Sequence, residues 1–147
     1  MENVYTWVEG SKMGGDPNIA GRVCAELAEQ GRLTPEELVN ASRDAKSPLH
    51  GMFEWDDTVA AEKYREMQAR KIIRSIEIVL ADSPIPQRAF QTVEPKVYQT
   101  IERVMDSKQM REILLRNAMR ELEAFRRKYA RMVELAQVFE AIDKTVL

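Results

Sequence analysis

Apolar residues recur at two different periods along this chain, and the switches between periods mark out its elements. Residues 4–8 are β-branched and aromatic and stop at Glu9-Gly10, which predicts a short strand. Gly14-Gly15-Asp16-Pro17-Asn18 reads as a turn, with Asn18 placed to cap the element that follows. Ile19, Val23, Cys24 and Leu27 then recur at helical spacing, predicting a helix over 19–30 that Gly31 stops. Thr34-Pro35-Glu36-Glu37 is a capping box with proline at the first helical position, and it starts a second helix running to about Asp44. Residues 47–55 form an irregular link rich in large apolar side chains, so the link is expected to pack down. Asp56 or Asp57 caps a third helix from Thr58 to about Arg74, with Ala60, Ala61, Tyr64, Met67 or Gln68, and Ile72 facing inward.

The period then changes to two. Residues 75–80 and 89–93 read as strands joined through Pro84 and Pro86, a β-hairpin to which residues 4–8 add a third strand. Pro95 opens a short helix over 97–105, and Asp106-Ser107 breaks it.

The longest pattern comes last. Leu115, Leu122, Tyr129, Ala136 and Asp143 are seven apart, and so are Ala118, Phe125, Met132, Phe139 and Val146, offset by three. This heptad seam predicts one helix over residues 111–146, with Asp143 its only polar member. Such a helix would be on the order of 50 Å long, more than the ~30–35 Å width of a compact domain of this size. It must project, pair with a second copy, or serve as a spine for the other helices. Leu114, Met119, Val133, Leu135 and Ile142 widen the stripe, and flanking charges that would pair across a dimer are sparse. A bundle spine therefore ranks above an isolated dimeric coiled coil.

The predicted architecture is α+β and predominantly helical. It is a single domain over 1–147, divided into a strand plus three helices (1–74), a β-hairpin or three-stranded sheet (75–94), and a helical part (95–147). Composition adds that 44% of residues are hydrophobic and 31% charged, as in a globular protein. No apolar run is long enough to span a bilayer, and the N-terminus lacks the pattern of a signal peptide. A single cysteine, Cys24, excludes an internal disulfide and suits the cytoplasm. The net charge of −2 conceals an asymmetry: residues 1–62 hold 5 Lys/Arg and 12 Asp/Glu, whereas residues 63–131 hold 16 and 9. An acidic front and a basic middle suit an internal electrostatic match, a nucleic-acid face, or patches for neighbouring copies.

Candidate chemistry is thin. With one histidine, His50, and one cysteine, the chain has no zinc-ligand set, and Cys24 falls on the apolar face of the first helix. Gly10, Gly14 and Gly15 lack the Lys-Ser/Thr ending of a phosphate-binding loop. Glu54, Asp56 and Asp57 cluster as carboxylates for a cation or for acid–base work would, but capping of the third helix accounts for them better. No catalytic residue, metal site, cofactor or small-molecule substrate is expected, and no enzyme.

The basic residues carry more. Lys63, Arg70 and Arg74 share one side of the third helix, with Arg65 and Lys71 at its edges. Arg116, Arg120 and Arg127 form a ridge on the last helix, but Glu112, Glu123 and Glu134 lie within ion-pair reach, as on a solvated face. Two short helices followed by an Arg-rich one and a hairpin is the order of a winged trihelical DNA-binding unit. The link over 45–55 is much longer than the turn of that unit, and the first two helices are acidic.

Several stretches also carry a resemblance. They are Leu33-Thr34-Pro35-Glu36-Glu37-Leu38-Val39, Ser47-Pro48-Leu49-His50, Phe53-Glu54-Trp55-Asp56-Asp57, Ala60-Ala61, Tyr64-Arg65, Gln68-Ala69-Arg70, and residues 121–129. Together they resemble a group of small proteins encoded by phages and prophages. The resemblance implies a viral setting in replication, regulation, assembly or counter-defence, and it assigns no residue a role.

The function expected from sequence is thus a phage-type accessory protein that binds DNA through Lys63, Arg70, Lys71 and Arg74. The alternative is a structural or interaction protein, acting through Leu115, Ala118, Leu122, Phe125, Tyr129, Met132, Ala136 and Phe139. It would form a homo-oligomer, join a virion, or dock on a host protein as inhibitor or adaptor. The expected location is the cytoplasm of a bacterial host, or the virion, with no membrane partner.

Overall fold

A computed structural model describes residues 3–8, 10–57 and 59–146, with only the backbone described at Val59 and Val146. The expected start of the third helix at Thr58 and the last seam side chain, Val146, therefore lie outside the described residues. Among those residues are six α-helices and two small antiparallel sheets. In order they are β1 (Val4–Trp7), α1 (Pro17–Glu29), α2 (Pro35–Ala41), α3 (Val59–Ser75), β2 (Ile76–Val79), β3 (Gln87–Arg88), β4 (Phe90–Glu94), β5 (Val97–Thr100), α4 (Ile101–Asp106), α5 (Lys108–Lys128) and α6 (Ala136–Val146). Among the described residues no helix is long and apolar enough to cross a membrane.

Local signals set the front of the chain. Asp16, not Asn18, caps α1: its side chain accepts from the Asn18 N–H, while Asn18 Oδ1 accepts from the Tyr5 N–H of β1. Gly31, with φ 69°, ends α1, and the Arg32 N–H reaches back to the Leu27 carbonyl, the bond that closes a Schellman turn. Thr34 Oγ1 accepts from the Glu37 N–H at 3.0 Å, as the capping box requires. The Glu37 carboxylate does not close the box; it pairs with Arg32 at 2.7 Å. The helix α2 stops at Ala41, three residues before the expected end.

The core lies between α1, α2, α3 and the sheets, with Cys24, Leu38, Ile73, Ile76 and Phe90 all essentially inaccessible. Gly21 has a packing role. The Tyr5 ring lies over it, and a Cβ at Gly21 would fall 2.2 Å from Tyr5 Cγ. Burial, and secondarily the charge of Glu102, holds the Tyr5 hydroxyl above its ordinary pKa.

Four sequence expectations are corrected. First, β2 does pair with β1 and with a later strand, giving the three-stranded order β1-β2-β3, but the later strand is only Gln87–Arg88. Most of residues 89–93, expected in that hairpin, fall in β4, which pairs with β5 instead. Ala89 is the junction: its N–H donates to the Ile76 carbonyl in one sheet, and its carbonyl accepts from the Ile101 N–H beyond the other.

Second, Pro95 opens no helix. It is the first corner of the tight turn from β4 to β5, whose second corner, Lys96, takes a φ of 66°. The helix begins only at Ile101, where Thr100 Oγ1 accepts from the Arg103 N–H.

Third, α3 is rotated from its expected orientation. Ile72 faces inward as expected, but it is joined there by Arg65, Ala69 and Ile73, while Ala60, Tyr64 and Met67 face out. Hydrogen bonds from Arg65 to the preceding link select this face.

Fourth, the last third of the chain is two helices rather than one. The helix α5 ends at Lys128, Tyr129 and Met132 lie in a turn, and α6 folds back on α5. The seam residues Phe125 and Phe139, expected on one continuous stripe, meet edge to face with centroids 6.4 Å apart. Asp143, the polar exception in the seam, receives Arg126 Nε at 3.2 Å. Neither glycine nor proline marks the break. Arg126, Arg127 and Lys128 occupy the last turn of α5, where cations favour a helix end. Folding back buries Phe139 and Ile142, which a straight helix would leave in water.

Candidate functional site

The main chain of the 42–57 link, with its His50 and Trp55 rings, is tied to the protein itself. The Arg65 side chain is 2% exposed and donates through Nε to the Glu54 carbonyl and through Nη2 to the Asp56 carbonyl at 2.9 Å. Its guanidinium lies 4.9 Å from the Trp55 ring centroid. On the same indole, His50 stacks at 4.9 Å with an interplanar angle of 4°, and Trp55 Nε1 donates to the His50 carbonyl at 2.7 Å. His50 Nδ1 lies 2.9 Å from the Ser42 carbonyl, which only the N–H form of that nitrogen can satisfy. Glu62 bridges Arg43 at 2.5 Å and Arg65 at 3.1 Å, and the Arg43 contact in particular holds its carboxyl below the usual range.

This arrangement accounts for the Ser-Pro-Leu-His and Phe-Glu-Trp-Asp-Asp stretches as one self-clamped link. Asp56 and Asp57 point to solvent, and Asp57 reaches only 3.8 Å from Arg65. Among the described residues no three His, Cys, Asp or Glu side chains converge as a metal site requires. Cys24 is fully enclosed, and burial pushes its thiol up to about 12, away from nucleophilic use.

The basic residues of α3 separate. Arg65 is committed inside, Lys63 pairs with Glu66 at 3.4 Å, and Arg70 is half-buried. Lys71 and Arg74 stand exposed.

The hairpin of α5 and α6 is the more distinctive surface. Its base is anchored: Ser107 Oγ accepts from the Met110 N–H, Leu114 packs on the core, and Asn117 donates to the Thr92 carbonyl. Yet α5 has no buried residue along its 21 positions. Among the described residues twelve large apolar side chains are exposed, and six of them lie on this hairpin: Leu115, Leu122, Phe125, Met132, Val133 and Val138. Leu115 is 55% and Val133 80% exposed. Of the interaction residues expected from sequence, Leu115, Ala118, Leu122, Phe125, Met132 and Ala136 face solvent and Tyr129 is half-buried. Phe139 is consumed inside the hairpin. Val133 flanks the heptad stripe in sequence, whereas Val138 lies outside it, because the turn at 129–132 resets the helical phase.

Comparison with protein-family models, curated proteins and solved structures gave no match. Any reading of function therefore rests on the chain's own sequence and geometry.

Proposed function

We propose that this is a non-catalytic accessory protein of phage type that works by association, two copies joining through their α5–α6 hairpins into a four-helix bundle. The supporting observation is the exposed apolar side of the hairpin. Folding α6 onto α5 leaves Leu115, Leu122, Phe125 and Val138 in water, a cost that a second hairpin would remove. Charge favours a second copy as the occupant. The helix α5 carries 7 Lys/Arg and 3 Asp/Glu, and residues 132–147 carry 1 and 3, so a two-fold pairing sets the basic helix of each copy against the acidic one of the other.

Mass in solution by light scattering tests this reading. The expected result is a dimer that Leu115→Asp with Leu122→Asp, both exposed and outside the Phe125–Phe139 contact, converts to a folded monomer. A wild-type monomer at all accessible concentrations refutes it.

A second reading, DNA binding through Lys63, Arg70, Lys71 and Arg74, is favoured by the exposure of Lys71 and Arg74 without a carboxylate partner among the described residues. It ranks lower because Lys63 is paired and Arg70 half-buried. Duplex binding would weaken steeply with salt and disappear on charge reversal at Arg70 and Arg74. Binding insensitive to salt, or none to any duplex, rules this reading out.

A further inference from the structure

The outward turn of α3 creates a second feature, remote in sequence from the hairpin. Tyr64 and Met67 stand 52% and 61% exposed. With the loop at residues 12–15 and the one-turn helix His50–Met52, they wall a groove of about 720 Å³. Met13, Met52, Tyr64, Met67 and Ile72 supply its apolar lining. Its charged lining is Lys12 and Lys71, with no carboxylate, although residues 1–62 hold 12 Asp/Glu and only 5 Lys/Arg. Neither lysine has an acidic partner among the described residues.

The backbone supports the same reading. Gly10, Lys12 and Gly15 take φ values of 81°, 56° and 80°. Lys12 adopts this conformation without glycine's freedom, and it carries an unpaired ammonium at the groove rim. A Cβ at Gly15 would lie 3.7 Å from the Met52 sulfur, so the loop rests on the groove floor. At Gly14 and Gly51 a Cβ would meet nothing, which leaves bare main chain on the groove wall for another backbone to approach. Thioether side chains adapt to irregular apolar partners.

We propose that this groove binds a short acidic segment of a partner protein. A large apolar side chain enters between Met13, Met52 and Met67, and flanking carboxylates meet Lys12 and Lys71. The site is separate from the hairpin and does not depend on self-association.

The test is a random-peptide display selection on the intact protein, followed by fluorescence anisotropy of the enriched peptides in fluorescein-labelled form. The expected enrichment is a large apolar residue within a few positions of Asp or Glu. Lys12→Glu with Lys71→Glu should weaken binding by about tenfold or more, and Met67→Asp should weaken it comparably. Leu122→Asp and Arg74→Glu should leave it unchanged, which separates the groove from the hairpin and from the DNA-binding set. All the substituted groove side chains lie at the surface, and circular dichroism checks that each variant is folded. No enriched peptide, enrichment without acidic residues, or binding that survives the groove substitutions would overturn the proposal.

Discussion

The link around Trp55 and the hairpin of α5 and α6 treat charged and aromatic side chains in opposite ways. Around the link, polar side chains are spent on the protein's own main chain and rings while Asp56 and Asp57 stay in solvent: Arg65 of α3 serves two main-chain carbonyls, His50 serves a third, and Trp55 lies among His50, Arg43 and Arg65. In the hairpin, apolar side chains turn outward, and the helices are tied by Phe125 meeting Phe139, Arg126 lying over the Phe139 ring, and the exposed Arg126–Asp143 ion pair. A charged cluster can thus be structural and an apolar stripe available for a partner, the reverse of the usual first guess. What separates the two cases is whether the groups are already satisfied within the chain.

That contrast can be broken at its strongest point. Arg65→Met should destabilise the fold by about 3 kcal/mol or more, because it strips hydrogen bonds from the Glu54 and Asp56 carbonyls and their link. Urea unfolding monitored by Trp fluorescence measures this, and a loss well below 1 kcal/mol would show that the link stands without its clamp. Gly21→Ala should cost about 1–3 kcal/mol by driving a methyl into the Tyr5 ring, and the loss should shrink in a Tyr5→Ala background.

The hairpin should respond weakly. Asp143→Asn removes a partly exposed ion pair and should cost less than about 1 kcal/mol globally. Its effect should concentrate in faster amide exchange within α6, and a large global loss would contradict the picture of a weakly tied hairpin. The smallest effect sharpens the other side. Arg43 and Arg65 depress the Glu62 pKa in the folded state, so their contribution is present above the unfolded carboxylate pKa and is lost as pH falls through the folded value. Acid titration of Glu62→Gln beside the wild type should show a shallower loss of stability below about pH 4.5 in the variant, and parallel curves would remove Glu62 from the account.

Local rules made much of the front legible. The Thr34 cap, the Gly31 stop and the β-branched run at 76–79 each act through residues within one turn or strand, so short windows reveal them. The orientation of α3 was not legible. Periodicity weighs Tyr64 and Met67 as apolar and Arg65 as polar, yet Arg65 lies inside because the carbonyls it serves arrive from a link folded against the helix. The groove between residues 12–15, 50–52 and α3 depends on that rotation, so no window of sequence displays it. The positive φ of Lys12 likewise leaves no mark in residue type.

The sequence by itself determined that residues 111–146 carry an amphipathic stripe of helix-forming residues, since heptad spacing and helix propensity act through near neighbours. Only the tertiary structure decided that the stripe doubles back after Lys128. No proline or glycine stops the helix there. The turn is held by Phe125 meeting Phe139 and Arg126 meeting Asp143, contacts fourteen and seventeen residues apart that exist only once the chain has folded.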